Sequence, residues 1–176
     1  DDLVYVSSQS HDPKALLKAQ NSKVQATPQV HLMIQTISRR LRRAYRNNES
    51  FPTKYDLSLF IQKSFREYNA SAEKTIFRDV VEHFWHPLNT TLYRQQALRW
   101  VAAEAQKRDI SLSIYGMGWE NHPEFSSFAR GPVLHGPDLE KLTRQSKINL
   151  QLEPYTSFSH HRLLDGLAAD GFYLFR

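Results

Sequence analysis

The sequence predicts an α/β fold in which a parallel sheet carries a large all-helical insertion after its first strand. Two observations support this prediction. Residues 30–106 space their apolar side chains at helical intervals almost without a break, whereas residues 111–175 alternate short apolar runs with short helical patterns. Strands that alternate with helices indicate parallel pairing through crossover connections.

The first predicted element is a central strand at residues 3–8, where the run LVYVSS ends in hydroxyl side chains. Apolar spacing then predicts four helices, with Leu32 and Trp100 among their core residues and an interruption at Pro87. The predicted helices cover residues 30–46, 54–68, 72–85 and 88–108. Residues 29–90 are therefore the expected helical insertion within a single domain, 1–176. Because the chain begins without Met and ends abruptly at FYLFR, we expect it to be a piece of a larger protein.

The second half of the chain predicts the rest of the sheet. Four short apolar runs indicate strands, at residues 111–115, 133–135, 148–152 and 172–175. Two stretches with helical spacing separate the last three runs, at residues 137–146 and 159–169. Each predicted helix thus lies between two predicted strands, as in a crossover unit.

Composition narrows the possible functions. The chain contains no cysteine, so a disulfide framework, a thiolate metal site and a cysteine nucleophile are all impossible. Neither a signal peptide nor an apolar run of the roughly 20 residues that span a bilayer is evident, and we expect a cytoplasmic location. The net charge of +5 favours an anionic ligand, an acidic membrane surface or nucleic acid.

Five arginines crowd the segment SRRLRRAYR, namely Arg39, Arg40, Arg42, Arg43 and Arg46. They are expected to be spread over most of the helix circumference, which favours a solvated basic face. Weak contact with an anionic membrane surface or an anionic acceptor polymer is the alternative. Specific nucleic-acid readout is not expected, because no recognition fold accompanies the cluster.

The loop before the last predicted helix has the chemistry of an anion site. Tyr155, Thr156, Ser157, Ser159, His160, His161 and Arg162 all lie within it or at the helix start. Backbone N–H groups at a helix N-terminus and a guanidinium both suit a phosphate. The alternative is a helix capped by Ser159 with solvated polar neighbours. Adjacent histidines point in different directions, so no metal site is expected.

Two glycines, Gly116 and Gly118, follow the strand at 111–115. They allow either close approach of the backbone to a ligand or a tight turn that requires positive φ. Trp119, next in sequence, is expected to pack as a wall of the core.

Three motifs occur in the order and spacing of one family: IYGMGW at 114–119, PVLHGPDLEKLTRQSKINLQLEP at 132–154 and HRLLDGLAADGFYL at 161–174. They resemble the C-terminal, nucleotide-sugar-binding domain of GT-B glycosyltransferases, in particular the spore-maturation-protein-like group of family 1/family 4 transferases. The resemblance covers about half of the chain. It implies a Rossmann-like parallel sheet that forms half of a GT-B fold.

The resemblance also implies roles for individual residues. Asp165 would accept hydrogen bonds from the ribose hydroxyls, and Arg162 with the helix start at Ser159, His160 and His161 would hold the diphosphate. The alternative for Asp165 is an acid near the helix start that complements the helix dipole. His135, Gly136 and Leu139 would border the base, while Ser8, Ser157, Gly116 and Gly118 would lie near the donor. The sequence departs from the family at three positions. Asp165 replaces the usual Glu, Asp170-Gly171 replaces paired glycines, and Ser157 stands where retaining family 4 enzymes have a second Glu.

The expected function is therefore donor binding in a glycosyltransferase that transfers a sugar from a nucleotide-diphosphate sugar to an unknown acceptor. Such an enzyme needs no bound metal or other cofactor, and its acceptor domain would lie in a missing N-terminal half. The chain itself is assigned no catalytic residue. The alternative is a degenerate, non-catalytic module of the same fold that binds or scaffolds through its basic helical insertion.

Overall fold

The structure is a computed structural model that describes residues 1–8, 28–49, 51, 54–67, 81–154 and 161–175, together with Pro13, Leu16 and Lys18. The chain divides into two compact units. One comprises Asp1–Ser10, Ala97–Glu153 and Ser157–Arg176, and the other comprises His11–Gln96 and Pro154–Thr156.

The first unit is built on a parallel sheet, which confirms the α/β class. Its described strands are β1 (Leu3–Val6), β2 (Leu112–Tyr115), β3 (Ile148–Gln151) and β4 (Tyr173–Phe175). They are all parallel and lie in the order β2-β1-β3-β4. Buried residues of β1, β2 and β3, such as Val4, Ile114 and Leu150, explain why short continuous apolar runs predicted these strands.

Two helices of the first unit lie between strands in sequence. Helix α4 (Pro137–Gln145) precedes β3, and helix α5 (His161–Ala168) joins β3 to β4. Gly136 adopts a positive φ of 92° just before α4, and Pro137 fills the first helical position, where a missing N–H costs little. Both helices therefore occur where the sequence predicted them, with ends that differ by one or two residues.

The second unit is helical throughout its described elements. These are α1 (Pro28–Arg46), α2 (Lys54–Glu67) and a π-helical turn (Val81–Trp85) that runs into α3 (His86–Arg108), whose residues from Ala97 onward belong to the first unit. The core of the second unit contains Ile37, Leu41, Leu57, Ile61, Phe84 and Trp85, all fully buried. No strand occurs in the described residues between 28 and 106. The predicted insertion as such stays a prediction.

Three expectations about these helices are wrong. Leu32 is 56% exposed and Trp100 is 39% exposed, so neither is a core residue. Pro87 does not interrupt the helix, because it lies in the first turn of α3, where the chain changes from π-helical to α-helical hydrogen bonding. The predicted helix at 72–85 lies mostly outside the described residues.

The predicted strand at 133–135 is also wrong. The chain runs beside β2 slightly earlier, where Arg130 N donates to Ile114 O at 2.9 Å and Ala129 forms an isolated parallel bridge with Ile114. Gly131, with φ of 81°, then turns the chain away. Leu134 is 72% exposed, so the apolar pair Val133-Leu134 does not mark a buried strand.

The loop after β2 is held by the end of β1. Gly116 has a φ of 138°, and a β-carbon built there would lie 2.3 Å from Ser7 O. The Trp119 indole N–H donates to the same Ser7 carbonyl, and its ring is 2% exposed. Gly116 therefore supplies a positive-φ turn and a close backbone approach to β1, and Trp119 is a core residue as expected.

A bidentate ion pair fixes the far side of this loop. Arg99 of α3 donates from Nε and Nη2 to the two carboxylate oxygens of Glu124, at 2.6 and 2.7 Å. These hydrogen bonds lower the pKa of the Glu124 carboxyl and raise the pKa of the Arg99 guanidinium.

No helix in the described part of the chain is long and apolar enough to span a membrane.

Candidate ligand-binding cleft

A cleft of about 400 Å³ lies between α4 and α5 in the first unit. That volume is within the range of small-ligand sites. The α4 side contributes His135, Gly136, Leu139, Glu140, Thr143 and Arg144, and the side of α5 and β4 contributes Asp165, Gly166, Ala168, Ala169 and Tyr173. The cleft thus brings together residues that are about 30 positions apart in sequence.

The cleft contains Asp165 together with the residues expected to border a base. His135 and Gly136 lie at the start of α4, and Leu139 lies one turn further along. Asp165 is the fifth residue of α5 and its side chain is exposed. The stabilising effect of a helix dipole on a carboxylate falls off within the first turn. The dipole therefore does little to stabilise a carboxylate at this position.

Among the described residues, Arg144 of α4 lines the cleft with a cationic side chain. It is exposed and lies one turn after Glu140, so both side chains are on the same face of the helix. Within the described residues Arg144 forms no ion pair. Its guanidinium is therefore available to a phosphate or carboxylate, and Asp165 is available to a hydroxyl donor.

The floor of the cleft is shaped by glycines. A β-carbon at Gly166 would lie 2.1 Å from the Tyr173 hydroxyl oxygen, and one at Gly171 would lie 2.3 Å from Thr143 Cγ2. Gly166 therefore lets α5 approach Tyr173 of β4 closely, and Gly171 lets the chain before β4 approach α4 closely. Thr143 is 2% exposed at the bottom. Tyr173 also lines the cleft, and its side chain is partly exposed.

Asp170 does not line the cleft. Its φ is 58°, and it follows α5 in a turn where Gly171 N donates to Gly166 O at 2.9 Å. Asp is among the residues that tolerate this left-handed conformation, which glycine adopts most readily. The departure from paired glycines therefore preserves the helix end, and the exposed carboxylate leaves the cleft open.

The other expected site residues do not join this cleft within the described structure. Ser8 is exposed beyond β1, and Gly116 and Gly118 form the turn after β2, both with positive φ. Ser157, Ser159 and His160 lie outside the described residues. His161 and Arg162 open α5, but their side chains also lie outside the description.

Sequence reasoning missed Glu140, Thr143, Arg144 and Tyr173. Helical spacing contains a signal for three of them, because Thr143 follows Leu139 by four residues and Arg144 follows Glu140 by four. Tyr173 had no such signal, since its approach to the cleft depends on the absence of a side chain at Gly166.

No cluster of three or more metal-ligating side chains occurs among the residues that the structure describes. The expectation that no metal is needed remains a prediction.

No protein-family model, curated protein or solved structure matches this chain. A function is therefore inferred from the cleft and the sequence pattern alone.

Proposed function

We propose that the α4–α5 cleft binds a nucleotide-diphosphate sugar, and that the chain is the donor-binding domain of a GT-B glycosyltransferase. The observation that carries the proposal is the shared cleft of Asp165 and the segment His135, Gly136 and Leu139. These are the residues to which the family resemblance gives the ribose and the base. The parallel sheet is compatible with one half of a GT-B fold.

The chemistry of the cleft supports the same ligand class. A carboxylate offers two acceptor oxygens and no donor, which suits a pair of ribose hydroxyls. The guanidinium of Arg144 suits the diphosphate, alone or together with the N-terminus of α5. Sugar transfer from such a donor to an acceptor would take place with a second domain, and the helical insertion would be an addition to the donor domain.

Calorimetry with uridine, guanosine and adenosine diphosphates tests this proposal. We expect one of them to bind the wild-type chain, and Asp165→Ala to weaken that binding by about ten- to a hundredfold, since a charged hydrogen-bonding group is lost. Asp138→Ala is the matched control, because Asp138 is an exposed acid in the first turn of α4 that does not line the cleft. Its affinity should equal that of the wild type.

A dideoxynucleotide separates the ribose role from general electrostatics. If Asp165 binds the ribose hydroxyls, the 2′,3′-dideoxy form of the bound nucleotide should lose affinity for the wild type and show no further loss with Asp165→Ala. A further loss of the same size would place Asp165 elsewhere on the ligand. Equal affinity of wild type and Asp165→Ala for the natural nucleotide would remove Asp165 from the site.

A second candidate is a non-catalytic binding module of the same fold. The exposed arginines of α1 favour it, because they provide an interaction surface outside the cleft. This candidate predicts that none of the three nucleotides binds, whereas the donor-binding proposal requires that one does.

A further inference from the structure

Four arginines share the outer face of α1 and are called the arginine stripe below. They are Arg39, Arg42, Arg43 and Arg46. At 3.6 residues per turn, or about 100° per residue, they fall within an arc of about 100°. Buried residues such as Ile37 and Leu41 lie on the opposite side of the helix. The expectation that the arginines surround the helix is therefore wrong, because only Arg40 widens the arc, to about 160°.

Among the residues that the structure describes, no acid pairs with the stripe. Arg39, Arg43 and Arg46 are exposed, and Arg42 is half-buried. In the described part of the chain their contacts are a bond from Arg39 to the Thr36 hydroxyl and one from Arg42 to the Ser38 carbonyl, both at 3.4 Å, and none pairs with an acid. The helix dipole favours Arg43 and Arg46 in the last turn, but it does not account for Arg39 and Arg42.

An exposed apolar residue lies in line with the stripe. Leu32 precedes Arg39 by seven residues, so the two side chains lie within about 20° of each other around the helix. Leu32 is 56% exposed. The outer face thus has one exposed leucine near its start and the arginines toward its end, over about 20 Å of helix axis.

We propose that the outer face of α1 docks on an anionic membrane surface. The stripe would contact lipid headgroups, and the exposed side chain of Leu32 would insert between them. Nucleic-acid phosphates would also attract the arginines, but they would leave Leu32 in water. The lipid surface is therefore the partner that uses both ends of this face. The inference does not depend on the function proposed for the cleft.

Vesicle co-sedimentation of the whole chain tests this docking surface. Wild type should bind vesicles of equal parts phosphatidylserine and phosphatidylcholine, and should not bind pure phosphatidylcholine. The triple variant Arg39→Gln/Arg43→Gln/Arg46→Gln should bind about a hundredfold more weakly at low salt, and added salt should reduce the difference. Leu32→Asn alone should also weaken vesicle binding.

The control triple variant is Lys63→Gln/Lys107→Gln/Lys141→Gln, which removes the same net charge from exposed positions on helices other than α1. It should bind phosphatidylserine vesicles nearly as well as the wild type. Equal losses in the two triple variants would overturn the proposal, because net charge alone would then explain binding. Absence of wild-type binding would overturn it as well.

Competition with duplex DNA distinguishes the two anionic partners. One outcome is that the chain binds DNA more tightly than it binds the vesicles, with an affinity that falls in the arginine triple variant and is unchanged by Leu32→Asn. In that outcome the partner is a nucleic acid and the membrane assignment is wrong. If DNA fails to displace the chain from vesicles, the membrane assignment is supported. Circular dichroism of each variant confirms that helical content is retained.

Discussion

A single missing methyl group determines how closely α5 approaches β4. A β-carbon at Gly166 would lie 2.1 Å from the Tyr173 hydroxyl oxygen and 2.3 Å from the adjacent ring carbons. The tyrosine ring, which lines the cleft, therefore occupies the space that a side chain at position 166 would need. Stability and the shape of the cleft are coupled through this one contact.

We predict that Gly166→Ala lowers the free energy of unfolding by about 1–3 kcal/mol, the usual cost of overpacking. In an open helix interior the same substitution raises stability by about 1 kcal/mol, because alanine is the better helix former. The two effects have opposite signs, so urea denaturation of the variant decides which one prevails.

The control is the same Gly166→Ala substitution made in a chain that already carries Tyr173→Ala. With the ring removed, Gly166→Ala should become neutral or stabilising, and the sign of its effect should reverse. A destabilisation of equal size in both backgrounds would show that the ring is not the obstacle.

At the scale of elements, one buried amide joins three pieces of the first unit. Asn149 of β3 is 3% exposed, and its Nδ2 donates to Thr143 O in α4 at 3.0 Å and to Phe172 O before β4 at 3.3 Å. Asn149 N also donates to Phe172 O, at 2.8 Å. The side chain therefore fixes the end of α4 and the start of β4, which both border the cleft.

We predict that Asn149→Leu destabilises the chain by about 1–3 kcal/mol, because it leaves the carbonyl of Thr143 buried without its donor. Asn121→Leu, at an exposed position in the loop after β2, should change stability by no more than about 0.5 kcal/mol. Thermal denaturation of both variants measures the difference. If the two substitutions cost the same, the buried amide does not hold these elements together.

At the scale of the whole molecule, the parts that the sequence predicted are those with a local signal. Periodic apolar residues such as Ile37 and Leu41 predict α1, and the buried run around Val4 predicts β1. The pair Val133-Leu134 gives a similar local signal, yet Leu134 is exposed because Gly131 has already turned the chain away. Burial of a short apolar run depends on tertiary contacts that a local pattern does not contain.

The candidate site was predicted only where a family motif marked it. Asp165 and His135 were expected at a binding site, and they share the cleft. Arg144 and Tyr173 reach the same cleft through helix packing and through the space left at Gly166, which no motif describes. Polar residues that line one cleft from separate elements are therefore the hardest to predict from sequence.

The carboxylate of Asp2 joins residues that are more than 100 positions apart in sequence. Asp2, just before β1, accepts hydrogen bonds from the Ser111 N–H at 2.9 Å and from its hydroxyl at 2.8 Å, and its other carboxylate oxygen lies 2.7 Å from Lys147 Nζ. Ser111 precedes β2 and Lys147 precedes β3. The carboxylate thus joins the starts of three adjacent strands. The bond from the Lys147 ammonium, followed by those from Ser111, holds the pKa of Asp2 far below its usual range.

The pH dependence of stability follows from the direction of this shift. Because the pKa of Asp2 is lower in the folded state, its contribution is fully present above the unfolded pKa of about 3.9 and is lost as the pH falls through the folded value. Hydrogen bonding to Asp2 raises the pKa of Lys147 in the folded state. The contribution of Lys147 to stability is therefore fully present below its unfolded pKa of about 10.4 and is lost at higher pH. We predict that Asp2→Asn lowers stability at neutral pH and flattens its decline below about pH 4. Urea denaturation across this range tests the prediction, with Asp138→Asn as the control for an exposed acid outside this contact. Parallel acid profiles for wild type and Asp2→Asn would show that the carboxylate does not join the strands.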